Sequence, residues 1–262
     1  MTDPRRPDQA AGPRVVTVVQ HEDGVPLDLF EQWLAPLEIR VLRAHRGDPI
    51  PTGPADVGDG LIVLGGTMDA YADDVAPWLP ATRALLAAVA AADDVPALGI
   101  CLGAQLLAVA CGGHVDVGAA PGREVGAVEV SWGDAAGGDP LVGALARHPR
   151  GTTRFPTMHS DAVTRLPDGA VPLGSSSLYP HQAFRVGGAW GCSSTPRRPH
   201  RRSGAGPRRS GTSTSTSTPP SRSTTGTRTR PPLPAGWWPG RSRRWSSAAR
   251  RHRAAPADVG RP

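Results

Sequence analysis

The sequence predicts an α/β fold: a doubly wound, mostly parallel sheet with flanking helices. Three observations carry that expectation. Short apolar runs of strand length alternate with helical segments from Arg14 to Gly113. The loops between them are short, which favours strand–helix–strand units and parallel pairing. At the centre, an apolar strand runs through a glycine-flanked cysteine directly into a helix of good formers, Val95 to Gly113.

Taken in order, residues 1–13 read as a polar, disordered leader. Arg14 to Gln20 is a first strand, continuously apolar and therefore buried on both faces. Pro26 to Leu34 is a short helix with Leu27, Phe30 and Leu34 on one stripe, and Leu37 to Leu42 is a second strand. A turn-rich loop over 49–60 leads to a third strand, Gly60 to Leu64, that ends in Gly65-Gly66-Thr67-Met68. Trp78 to Ala92 is alanine- and leucine-rich and helical, and it returns the chain to the strand Val95 to Ile100. Leu102 to Cys111 is the next helix, stopped by Gly112-Gly113 in the place of a C-terminal glycine cap. Later strands are expected near 114–117, 125–132, 170–176 and 181–186, with a last one at Ala189-Trp190-Gly191.

Gly99-Ile100-Cys101-Leu102-Gly103 is the stretch that carries chemistry. A strand-to-helix elbow is crowded, so a side chain on either flank would block it. A thiol at a helix N-terminus feels the positive end of the helix dipole, which favours thiolate. The backbone N–H of Leu102 points where an oxyanion would form. An isolated cysteine would read as a small buried residue; here strand, turn and helix occur in order, which favours a nucleophile.

Leu98-Gly-Ile-Cys-Leu-Gly-Ala-Gln-Leu-Leu107 resembles the nucleophile motif of class I (triad-type) glutamine amidotransferases, and the similarity extends from about Val15 to Gly191. The resemblance implies hydrolysis of the glutamine side-chain amide through a cysteine thioester, with Cys101 as nucleophile. It also implies an oxyanion hole from Leu102, Gly66 and Gly65; the family commonly has proline where this chain has Thr67. Gln105, His159 and Glu124 are substrate-binding candidates on the same basis. Glu124 lies in Gly122-Arg-Glu-Val-Gly126, an acidic-then-glycine turn, and a solvated turn carboxylate is the alternative reading. His159 lies in Thr157-Met-His-Ser-Asp161, which resembles the segment that closes over bound glutamine. His181 falls near the site by resemblance, or is simply a strand-end histidine. A stand-alone domain of this family passes ammonia to a separate synthetase subunit, since this chain has neither a phosphate-loop motif nor room for such a domain. No cofactor and no metal is implied.

Such a cysteine needs a histidine to hold its proton and an acid to orient that histidine. In the family both follow the Trp-Gly strand, in a run ending His-Pro-Glu. Here Trp190-Gly191 is followed by Cys192-Ser-Ser-Thr-Pro-Arg197. Written as GGG TGC AGT TCC ACC CCG AGG, Gly191 to Arg197 re-read from the last base of the glycine codon gives Val-Gln-Phe-His-Pro-Glu. One lost base would produce the observed protein. Thr212 to Thr218 alternates Thr and Ser, and in the same offset becomes alternating valine and aspartate.

Charge divides the chain at the same place. All 29 basic residues are arginine: 13 lie up to Gly191 against 22 acidic residues, a net of −9, and 16 follow it against Asp258 alone, a net of +15. We therefore read 14–191 as an amidotransferase-like domain lacking its final strand-and-helix closure, and 192–262 as a frameshift product, disordered for want of aliphatic residues. Its arginines, with Trp237, Trp238 and Trp245, would bind nucleic acid only incidentally. His200 lacks a following acid and is a poor substitute base. Two further readings follow: a non-catalytic pseudoenzyme or basic-tailed binding module, and a related cysteine γ-glutamyl hydrolase or peptidase. Three cysteines without metal-like spacing and no apolar leader or span fit a cytoplasmic protein.

Overall fold

The computed structural model describes residues 14–194; the leader and the tail from 195 onward lie outside the described residues. The elements run β1 (Val15–Gln20), α1 (Leu29–Trp33), β2 (Glu38–Arg43), β3 (Gly60–Val63), α2 (Leu79–Ala92), β4 (Ala97–Ile100) and α3 (Leu102–Ala110). There follow β5 (His114–Asp116), β6 (Glu124–Trp132), α4 (Gly143–Ala146), β7 (Thr152–His159), β8 (Ala162–Arg165), β9 (Val171–Ser175), β10 (Ala183–Val186) and β11 (Ala189–Cys192).

Nine strands form one sheet in the order β2-β1-β3-β4-β11-β10-β9-β6-β7, and β5 pairs with β8 alone. Contacts among β2, β1, β3, β4 and β11 are parallel, and those from β11 through β7 are antiparallel. The doubly wound α/β reading stands, with parallel pairing confined to the half built from strand–helix–strand units. Beyond α3 the connections lose their long helices. Gly187-Gly188 alone joins β10 to β11, and so short a link makes a hairpin.

Two apolar layers sandwich the sheet. One packs α2 and α3 on Val19, Leu61, Val63 and Ala97; the other packs α1 and the α4 region on Val16, Val18, Ile62 and Leu98. Alternate residues of β1 and β3 thus serve opposite layers, which is why these strands are apolar throughout. In α2 the buried positions are Leu79, Thr82, Leu85, Leu86, Val89 and Ala90, one helical stripe, with proline in the first turn where its missing N–H costs nothing. The helix predicted over 26–34 is shorter, because Asp28 turns with φ 51° before it begins, yet Leu27, Phe30 and Leu34 are all buried as the stripe required. α3 closes on Gly112 at φ 91°, as the glycine cap demanded. Among the described residues no helix is long and apolar enough to cross a membrane.

Candidate active site

β4 ends at Ile100 and α3 starts at Leu102, so Cys101 alone makes the turn. It does so at φ 53° and ψ −109°, a conformation that costs a residue with a Cβ about 1–3 kcal/mol. Backbone bonds hold it there. The Cys101 amide donates to the Cys192 carbonyl at 2.8 Å, and its carbonyl accepts from Ala104 and Gln105 at 3.0 and 3.2 Å. The flanking glycines are a steric necessity. A Cβ on Gly99 would lie 2.4 Å from the Gly103 carbonyl oxygen, and one on Gly103 would lie 2.1 Å from that of Val63. Both obstacles are main chain and cannot swing aside.

The segment after β3 passes over the elbow. A Cβ on Gly65 would sit 3.4 Å from the Cys101 Cβ, while one on Gly66 would strike Met68 Sδ at 2.5 Å and Leu102 Cδ2 at 2.7 Å. Beneath Gly66 lies His21, fully buried, whose Nδ1 accepts from Trp78 Nε1 at 3.0 Å. Burial, assisted by the nearby His45, pushes the His21 pKa down to about 4, so the ring is neutral and its proton sits on Nε2.

Gly65, Gly66, Cys101, Leu102, Gln105 and His159 all border one cavity of about 220 Å³. Val25, Thr67 and Met68 border it from the elbow side, and Arg123, Met158, Ser160 and Asp161 from the β6–β7 side. Of the three thiols only that of Cys101 borders it; burial pushes the Cys111 and Cys192 thiols up, toward the unreactive protonated form.

Glu124 stands elsewhere than expected. It is neither a solvated turn carboxylate nor part of the cavity lining; it is buried, directly opposite His159 across the β6–β7 pair, and borders the adjoining surface groove. Glu124 Oε2 accepts from His159 Nε2 at 3.1 Å and from Gln182 Nε2, while Oε1 accepts from the Ser176 hydroxyl at 2.6 Å. His159 Nδ1 donates to the Asp161 carbonyl at 3.1 Å, which also accepts from Gln105 Nε2 at 3.1 Å. Every partner of the His159 ring is an acceptor, so both nitrogens are donors and the ring has no lone pair for the Cys101 proton. Tyr179 packs on it with centroids 5.3 Å apart. His181 is half-buried just before β10, and burial pushes its pKa down; it does not line the cavity.

The sequence reading missed Val25, Met68 and the Ser176–Gln182 support. A glutamine at the mouth of a strand, in His181-Gln-Ala-Phe184, was the available signal for the last. β11 lies parallel to β4 with Cys192 paired to Ile100, so the chain leaves the sheet beside the nucleophile.

The family model for class-I glutamine amidotransferases matches residues 36–184, more than half of the chain and including this elbow. The chain belongs to that family. Among similar proteins, the glutamine-hydrolyzing GMP synthase subunit of Halobacterium salinarum is 36% identical over 148 residues, 54% of this chain and 70% of that protein. The protein of the same name from Natronomonas pharaonis is 46% identical over 85 residues, 32% of this chain and 42% of that protein. In structure the amidotransferase chain is similar to a glutamine amidotransferase from Methylobacillus flagellatus, at TM-score 0.60 and 29% identity over 70% of each chain. A glutamine amidotransferase from Thermotoga maritima shares the fold at TM-score 0.61 and 24% identity, over 70% of this chain and 76% of that one.

Proposed function

We propose that this chain is a glutamine-hydrolysing subunit that supplies ammonia to a separate synthetase, as the names of its GMP synthase relatives suggest. The observation that carries the reading is Cys101, held at φ 53° on its elbow and bordering the cavity with Gly66 and Leu102. Cys101 Sγ attacks the side-chain carbonyl carbon of glutamine. The carbonyl oxygen takes up negative charge against the Leu102 and Gly66 amides, which such donors stabilise by about 3–4 kcal/mol each. The C–N bond breaks as the nitrogen takes a proton and leaves as ammonia. A glutamyl thioester remains, which water hydrolyses to glutamate and free thiol. Gln105 and His159 shape the substrate side of the cavity, and Glu124 acts through His159.

Two proton transfers in this sequence need a base, and the doubly donating ring of His159 is unsuited to it. The reading of 192–262 as a frameshift product answers this: Val-Gln-Phe-His-Pro-Glu would put histidine at position 195 and glutamate at 197, just past β11. In the chain as it stands those positions are Thr195 and Arg197, outside the described residues. That substitution favours the second reading, a pseudoenzyme with an intact elbow and no base.

Ammonia release from L-glutamine, with Cys101→Ala as control, decides between them, together with a DNA read through the Gly191 codon. The chain carrying Thr195 and Arg197 is expected to release ammonia at least about a hundredfold more slowly than one with the restored reading frame. Cysteine-dependent release at equal rates from both chains would overturn the need for the lost histidine. No release from either would overturn the glutaminase reading.

A further inference from the structure

We propose that Arg123 reads the α-carboxylate of a free amino acid in the Cys101 cavity, and so restricts the site to free glutamine over glutamine within a peptide. The inference rests on the glutamine reading and adds the residue that selects the substrate's other end.

Three residues bordering the cavity carry ionisable side chains besides the thiol: Arg123, His159 and Asp161. His159 is closed off between Glu124 and the Asp161 carbonyl. Arg123 is exposed, and among the described residues its guanidinium makes neither a hydrogen bond nor an ion pair. It is thus the one open cation at this cavity among the described residues.

The mount of that cation is rigid. On one side of Arg123, the Tyr179 hydroxyl bonds the Ala119 carbonyl at 3.2 Å and also the Gly122 carbonyl. On the other, Glu124 is buried and bonded to His159, Ser176 and Gln182. The backbone is fixed at both neighbours while the side chain stays unpaired, which lowers the ordering cost of binding. Arg123 borders both the cavity and the adjoining groove, so it sits at the boundary between them.

With the side-chain carbonyl at Cys101, the carboxylate of free glutamine lies four bonds further along the molecule. A guanidinium fork matches a carboxylate bidentately. In a peptide that carboxylate is an uncharged amide and the match is lost.

Isothermal titration of the full chain with L-glutamine and with L-glutaminamide tests this, since the second keeps the side chain and ammonium but has no anion. A Cys101→Ala chain run in parallel removes heat from turnover. The unaltered chain is expected to bind L-glutamine about tenfold more tightly than L-glutaminamide, with the gap narrowing as salt is added. Arg123→Gln should raise the Kd for L-glutamine to that for L-glutaminamide and leave the latter unchanged, and Arg123→Lys should fall between. A gap that survives in Arg123→Gln overturns the proposal, and so does equal binding by the unaltered chain, which leaves the glutamine reading intact. Binding of neither ligand overturns both.

Discussion

The two sides of the cavity are built by different means. On the elbow side, β3, β4 and α3 approach so closely that Gly99 and Gly103 face only main-chain atoms, and Cys101 is aimed by backbone geometry. On the β6–β7 side, His159 is aimed by side chains: Glu124, Ser176 and Gln182 on one flank and the Asp161 carbonyl on the other. The first wall is steric and tolerates no added atom. The second is electrostatic and tolerates no lost partner.

That contrast fails first at Gly103. Gly103→Ala puts a Cβ 2.1 Å from the Val63 carbonyl oxygen, and relief requires β3 and α3 to separate. We expect a loss exceeding about 3 kcal/mol, enough to deplete folded protein. Urea unfolding checks this, and a loss within about 1 kcal/mol would mean that the wall yields.

On the other side, Glu124→Ala leaves the doubly donating His159 ring buried without its counter-charge. Breaking such a pair costs about 3 kcal/mol or more. His159→Leu/Glu124→Leu together should recover much of that loss, since no stranded charge remains. If single and double variants unfold at the same urea concentration, the network is not what holds this wall.

A smaller effect separates the walls by pH. The folded-state pKa of His21, beneath Gly66, is lowered from 6.5 to about 4, so the folded protein binds fewer protons than the unfolded chain between those values. The stability His21 contributes is present in full above pH 6.5. It falls as pH drops toward about 4 and changes no further below, a total of about 3 kcal/mol. Comparing the pH dependence of unfolding with that of His21→Gln should show this slope missing in the variant. Equal slopes would mean that His21 titrates normally.

The steric wall was legible in the sequence because its constraints are local. Two glycines within two residues of a cysteine record a close approach that nothing larger survives. The parallel half was legible for a similar reason: β1, β3 and β4 each serve two apolar layers, and their runs show it. The second wall left a fainter trace. Glu124 is bonded to residues 35, 52 and 58 positions away, and no window around it distinguishes a buried carboxylate from a solvated one. The antiparallel half was under-read because short hairpin links looked like the loops of crossover units.

β11 has a consequence for how the protein is made. It comes last among the described strands but lies fifth across the sheet, between β4 and β10, and it alone joins the parallel and antiparallel halves. A chain still emerging from the ribosome must hold two partial sheets, each with an apolar edge open to the other or to a neighbouring chain. Synthesis through Cys192 closes that gap. An error in decoding shortly before β11 would leave aggregation-prone halves. One immediately after it spares the sheet and alters only what the strand delivers to the nucleophile, so the protein could be abundant, folded and chemically silent.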